Sequence, residues 1–150
     1  MTKFDQWMTR AIAEAKLTAD SADVPVAALV VDENDNLVSV GRNERELTGA
    51  PTAHAEVVAI RAAAAATGSW RLDSMTLVVT LEPCTMCAGA ILQARIPRVV
   101  FGAWDEKAGA SGSVNDLLRD RRLPHKVEVV AGIQEADCAA LLTGFFEARR

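Results

Sequence analysis

Apolar residues recur at intervals of three and four near the start of the chain, at Phe4, Trp7, Met8, Ala11, Ile12 and Ala15. That spacing puts them on one face of an opening helix, with Lys3, Asp5, Arg10 and Glu14 among the polar positions between them. Val26 to Val31 is a short β-branched-rich run, Asn34-Asp35-Asn36 reads as a turn, and Leu37 to Val40 resumes the strand pattern, which together predict a hairpin. Pro51-Thr52 supplies a stop and an N-cap for a helix from about His54 to Ala66. The run Ala62 to Ala66 is explained by helix propensity alone. Met75 to Thr80 is the next strand, and Pro83 precedes a helix over roughly Thr85 to Ala94. Arg98 to Gly102 and Lys126 to Val130 read as two more strands, with a short helix near Asn115 to Leu118 between them. Glu135 to Arg149 closes the chain as a helix with Ala136, Ala139, Ala140, Leu142 and Phe146 inward. Five strands interleaved with helices predict a three-layer α/β/α domain.

The length of 150 residues fits one domain, 1–150, and no Gly/Ser/Pro linker or internal repeat divides it. Half the residues are apolar and 24% are charged, an ordinary globular composition. No apolar run approaches the roughly 20 residues of a membrane span, and the N-terminal segment lacks an uninterrupted apolar signal region. The expectation is a cytoplasmic protein with no membrane association. A net charge of −4 argues against broad, nonspecific nucleic-acid binding. A local basic patch remains: Arg119, Arg121, Arg122 and Lys126, joined by Arg149 and Arg150. Its bland reading is a solvated charged face, and its functional reading is contact with phosphates.

Three cysteines are an odd number, and two of them form Cys84-x-x-Cys87. In a reducing compartment that spacing points to metal or redox chemistry rather than a disulfide framework. Upstream stands His54-Ala55-Glu56. Both segments fall at predicted helix N-termini, where exposed N–H groups and the helix dipole favour thiolates, so Cys84 and Cys87 are expected to ionise easily. One imidazole and two thiolates make a tetrahedral zinc site with its fourth position open, whereas a structural zinc takes four protein ligands. Such a metal lowers the pKa of a bound water from about 15.7 to about 7. Glu56, two residues after His54, is then free to shuttle protons as general acid and base. His-x-Glu followed by Pro-Cys-x-x-Cys is a known signature of zinc deaminases.

The chain resembles the bacterial tRNA-specific adenosine deaminases of the cytidine deaminase-like superfamily, nearly end to end. The matching segments are Val24-Pro25-Val26, Gly41-Arg42-Asn43, Pro51-Thr52-Ala53-His54-Ala55-Glu56, and Leu81-Glu82-Pro83-Cys84-x-Met86-Cys87-Ala88-Gly89-Ala90. They continue as Arg98-Val99-Val100-Phe101-Gly102, Asp105-x-Lys107-x-Gly109-Ala110-x-Gly112-Ser113, and Asp137-Cys138-Ala139-Ala140-Leu141-Leu142. The zinc motif belongs to the whole superfamily; Phe-Gly-x-x-Asp-x-Lys-x-Gly is the segment that points to the tRNA enzymes. The resemblance implies a mixed five-stranded sheet flanked by helices, a homodimer, and one zinc per subunit. It also implies conversion of adenosine to inosine at the wobble position of a tRNA anticodon stem-loop, that of the arginine tRNA with an ACG anticodon. Asn43 is then expected to hydrogen-bond the flipped purine, the main chain near Ala55 to contact its ring, and Val26 to wall the pocket. Asp105 and Lys107 are expected at the substrate mouth, Asp105 against a ribose 2′-hydroxyl or, alternatively, capping a turn or pairing with Lys107. The chain departs from the family at Ala27 in place of Gly, at Pro124 before His125 where Asn is expected, and at Trp104 in a position that is sometimes basic.

Adjacent residues on a helix cannot both face inward, so one of Phe145 and Phe146 is expected at the substrate mouth or a dimer surface; Phe145 is taken for the substrate mouth and Phe146 for the core. Cys138 reads as a buried small hydrophobe, His125 as loop packing, and Trp70 as core or interface. Competing functions are a deaminase of free bases or nucleosides, a cytidine deaminase acting on nucleic acid, and a zinc-stabilised binding module without catalysis. Retention of Glu56 counts against the last.

Overall fold

The structure, a computed structural model, describes residues 1–150. Its helices are α1 (Lys3–Lys16), α2 (Arg45–Thr48), α3 (Ala55–Thr67), α4 (Thr85–Gln93) and α5 (Glu135–Glu147). Its strands are β1 (Ala27–Val31), β2 (Leu37–Arg42), β3 (Thr76–Leu81), β4 (Arg98–Ala103) and β5 (Glu128–Val130). The sheet runs in the order β2-β1-β3-β4-β5. β1 is antiparallel to β2 and β3, whereas β3, β4 and β5 are parallel, so the sheet is mixed as expected.

Strand side chains alternate between two cores, the period of two that a sheet covered on both faces requires. Ala28, Val30, Leu77, Val79, Val99 and Phe101 meet Ala59 and Ala63 of α3 and Ala88 and Ile91 of α4. Leu29, Val31, Val78 and Val100 meet Met8 and Ala11 of α1 and Cys138 of α5. The three-layer expectation holds, as does the inward placement of Cys138. Small residues let α3 lie close to the sheet: a Cβ on Gly41 of β2 would collide with the Ala55 carbonyl and stand 2.5 Å from the Ala59 nitrogen. In the hairpin turn, Asp32 Oδ1 accepts from Asn34 N and Asn36 N, each at 2.9 Å, and Asp35 sits at φ 62°. Asp and Asn are the residues that tolerate such geometry.

Several local expectations need correction. No helix forms over 115–118: the amides of Val114 and Asn115 donate to Gly109 O and that of Leu117 to Ala110 O, folding the segment as turns around a Ser111–Asp116 bridge. β5 begins at Glu128 rather than Lys126, because the Val127 amide donates to Leu118 O instead of to β4. Thr52 is not the cap of α3, a position held by His54. The inward stripe of α5 is Cys138, Ala139 and Leu142; Ala136 and Ala140 are exposed, and Phe146 is 53% exposed. Trp70 is 60% exposed, beside Arg71 and Arg95, and not core. His125 is loop packing, with Nε2 3.0 Å from Ile96 O. The short helix α2 has no counterpart among the expected elements. No helix is long and apolar enough to cross a membrane.

Candidate active site

Two helix N-termini meet near the C-terminal end of β3. His54 is the N-cap residue of α3 and Cys84 that of α4, and neither side chain caps its own helix. His54 Nδ1 lies 3.6 Å from Cys84 Sγ and 3.4 Å from Cys87 Sγ. All three donor atoms fall within 4.8 Å of one another. A tetrahedral zinc with metal–sulfur bonds of about 2.3 Å and a metal–nitrogen bond of about 2.0 Å sets sulfur and nitrogen roughly 3.5 Å apart. The donor set and its spacing fit that metal. Cys87 is fully buried, whereas His54 and Cys84 are part-exposed and face a cavity.

The Cys84 thiol is held down to about 3 by the hydrogen bond from Cys87, with His54 adding to the effect. Cys87 moves the other way, pushed up because it is the donor in that bond and is buried. The two sulfurs thus share one proton between them, and it leaves when a metal takes both. Glu56, in the first turn of α3 and 4% exposed, is pushed up to about 7 by burial.

The cavity has a volume of about 650 Å³. Of the residues expected there, Val26, Asn43, Ala55, Asp105 and Lys107 line it together with His54, Glu56 and Cys84. Asn43 is held in place: its Nδ2 donates to Val24 O at 3.2 Å and its Oδ1 accepts from Arg45 N at 3.3 Å. Each amide atom keeps capacity for a further partner. Asp105 caps a turn, Oδ1 accepting from Lys107 N and Ala108 N at 3.1 Å each.

Phe145 does not line the cavity; Phe146 does. The Phe145 ring instead lies 3.5 Å beneath the Arg149 guanidinium and edge-on to Phe146. Successive helix residues point about 100° apart, so the docking angle of α5 decides which one faces the cavity. None of Arg119, Arg121, Arg122, Arg149 and Arg150 lines it either. Arg119 pairs with Asp116 and Arg122 with Asp120, each at 2.7 Å, while Arg121 has no ion pair. The cations at the cavity are Lys107 and Arg45, and sequence reasoning missed Arg45. It also missed Glu82 and Phe146; the Leu-Glu-Pro-Cys context of Glu82 was the one signal available. Trp104, noted only as a departure, lines the cavity with its ring edge-to-face on Phe101 at 4.9 Å.

A mixed sheet whose helix N-termini gather one imidazole, two cysteine sulfurs and a buried carboxyl at one end of a nucleoside-sized cavity defines a zinc-binding deaminase domain. Residues 1–103 match the family model of the cytidine and deoxycytidylate deaminase zinc-binding region. The chain is similar to tRNA-specific adenosine deaminase of Bacillus subtilis, at 43% identity over 100% of this chain and 92% of that protein. It is similar to the protein of that name from Haemophilus influenzae, at 43% over 99% of this chain and 87% of that one. A solved structure from a study of A-to-I editing by tRNA deaminases at the wobble position of transfer RNA superposes with a TM-score of 0.86. That match has 37% identity and covers 91% of this chain and 99% of that one. The chain belongs to the cytidine and deoxycytidylate deaminase family and, within it, to the tRNA-specific adenosine deaminases. Its chemistry is hydrolytic deamination.

Proposed function

We propose that the protein converts adenosine to inosine at the wobble position of a tRNA anticodon, that of the arginine tRNA with an ACG anticodon. The observation that carries the reaction type is the His54, Cys84 and Cys87 cluster with the buried Glu56 carboxyl at one end of a cavity that Asn43 also enters. Support for the substrate comes from the full-length similarity to tRNA-specific adenosine deaminases and from the Asp105–Ser113 segment at the cavity.

His54, Cys84 and Cys87 would hold one zinc per subunit. When bound, the metal acidifies water at its open position. Glu56 takes a proton from the attacking water and returns it to the purine ring; a second transfer lets the exocyclic amine leave as ammonia. Asn43, anchored through Val24 and Arg45, offers its spare donor and acceptor to the purine edge, and Val26 and the Ala55 main chain wall the ring. Lys107 and Arg45 supply positive charge for the flanking phosphates. Arg119, Arg121, Arg122, Arg149 and Arg150, outside the cavity, would meet phosphates further along the RNA backbone.

A homodimer and a cytoplasmic location complete the proposal. α3 and α4 leave Ala62, Ala65, Ala66 and Met86 exposed, apolar surface that a second copy would cover. The test is incubation with an ACG anticodon stem-loop and, separately, with free adenosine, cytidine and guanine. Inosine should form in the stem-loop, and Glu56→Ala should keep its metal and lose turnover by on the order of 10²-fold or more. Deamination of a free base in preference to the stem-loop would refute the substrate assignment.

A further inference from the structure

One buried carboxylate beside the metal ligands takes no part in the chemistry above. Glu82 follows β3, is 2% exposed, and forms no ion pair. Both of its oxygens meet only donors. Oε1 accepts from Asp105 N at 3.0 Å and Ser113 Oγ at 2.6 Å; Oε2 accepts from Ser111 N at 3.0 Å and Ser113 N at 3.1 Å. Those donors come from the two ends of the segment Asp105 to Ser113, which contains no helix or strand of its own. Its Asp105, Glu106, Lys107 and Ala108 form one wall of the cavity.

The segment is also fastened to the metal-ligand turn. Cys84 forms a β-bridge with Gly109, and the Ala110 amide donates to Pro83 O at 2.8 Å. Gly109 lies so close to the carboxylate that a Cβ there would collide with Glu82 Oε1 and Ser113 Oγ. Glu82 therefore joins, through a single side chain, the turn that supplies Cys84 and the loop that supplies Asp105 and Lys107. Hydrogen bonds to a carboxylate are roughly twice as strong as neutral ones, and four converging on one group offset part of the entropy lost in ordering a loop without regular structure.

We infer that Glu82 is a positioning residue that sets the substrate loop against the metal site, fixing the width of the cavity mouth and with it the affinity for RNA. The RNA part rests on the function proposed above. Glu82→Gln tests it, because an amide keeps the shape but turns an NH2 group toward two of the donors. Ser113→Ala removes one donor and leaves the carboxylate, a milder second variant in case Glu82→Gln folds poorly.

The first readout needs no substrate: native-state hydrogen exchange of the parent and variant proteins loaded with zinc. In Glu82→Gln the amides of Asp105, Ser111 and Ser113 should exchange faster by on the order of 10- to 100-fold, the scale of a broken buried hydrogen bond, while β3 and β4 hold. In Ser113→Ala the same amides should shift in the same direction by less. The second readout is steady-state deamination of the stem-loop. KM should rise by about 10-fold with kcat per bound zinc changed less, because the loop is misplaced and the metal and Glu56 are not. Unchanged exchange of the three amides, or faster exchange spread evenly over the sheet, overturns the inference. So does a loss of activity that follows metal content with KM unaltered. A parent protein inactive on the stem-loop would sink the RNA assignment instead, and the exchange result would still decide whether Glu82 holds the loop.

Discussion

Gly41→Ala is a one-carbon change at the point where the sheet touches the helix that carries the site. A Cβ at that position would collide with the Ala55 carbonyl and stand 2.5 Å from Ala59 N and 3.0 Å from Ala59 Cα. These are backbone atoms of the first turns of α3, so no side chain can swing aside. Restoring ordinary contact moves the helix away from β2 by about 1 Å, since carbon and nitrogen pack at roughly 3.5 Å. Overpacking of this kind costs about 1–3 kcal/mol, and a rigid obstacle puts it toward the upper end. For a domain of this size the melting temperature should fall by roughly 5–10 °C. The larger effect is on chemistry: His54 and Glu56 ride on the displaced turn, and a misplacement of about 1 Å costs on the order of 10²-fold in rate. Circular dichroism melting, zinc content and single-turnover rate, all on one preparation well below the transition, give the three numbers. Gly144→Ala is the control. Its Cβ would meet nothing within 4 Å on an exposed turn of α5, so the same atom should stabilise by about 0.5–1 kcal/mol. A Gly41→Ala protein with parental melting and rate would refute the close-approach argument.

Cys84→Ala and Cys87→Ala should each lose zinc and activity together and melt lower, because metal binding is coupled to folding; full activity without bound metal would end the zinc assignment. Asp23 is 2% exposed; burial opposes its ionisation, yet the amides of Glu46 and Leu47 and the Ser21 hydroxyl prevail and hold its pKa below 3.8. Its contribution is therefore complete above the unfolded value near 3.8 and disappears as pH falls through the lower folded value, so melting curves of the parent and Asp23→Asn should differ by a constant above about pH 5 and converge in acid. Asp105→Asn keeps an oxygen for the Lys107 and Ala108 amides while removing a charge from the cavity, so it should fold normally and narrow the preference for an RNA hairpin over its DNA counterpart; an unchanged ratio of single-turnover rates would confine Asp105 to capping its turn.

The elements legible in the sequence were those whose pattern is local. α1 is written in its three-and-four spacing, the hairpin in its turn residues, and α3 and α4 in the punctuation before them. Elements settled by distant contacts were not. Leu118 is buried by neighbours far along the chain, and nothing between Asn115 and Leu118 shows that their amides would turn back to Gly109 and Ala110. α5 is the instructive case. Alanines and leucines lie on several of its faces, so no unique inward stripe can be read from them, and a rotation of one residue exchanges Phe145 for Phe146 at the cavity. Arg45 and Glu82 escaped for the same reason: each is an ordinary charged residue until the fold sets Arg45 on the cavity wall beside Asp105 and Lys107 and brings the Asp105 loop against Glu82.

The metal cluster was legible because its chemistry is demanding enough to leave a local signature, and the structure shows what that signature costs. An N-cap side chain ordinarily accepts a hydrogen bond from its own first turn, worth about 1 kcal/mol. His54 and Cys84 hold the N-cap positions of two helices and make no such bond. Their side chains point at each other instead, and the uncapped amides leave positive dipole ends beside the two sulfurs. The sacrifice is roughly 2 kcal/mol of helix stability across the pair. A bound zinc contributes on the order of 10 kcal/mol in small zinc domains, several times that loss. The cap forgone at these two ends is one that a metal more than replaces; α1 keeps a full capping box between Thr2 and Asp5, and the first amides of α2 are taken by the Asp23 carboxylate, whereas α5 goes without a side-chain cap at Gln134.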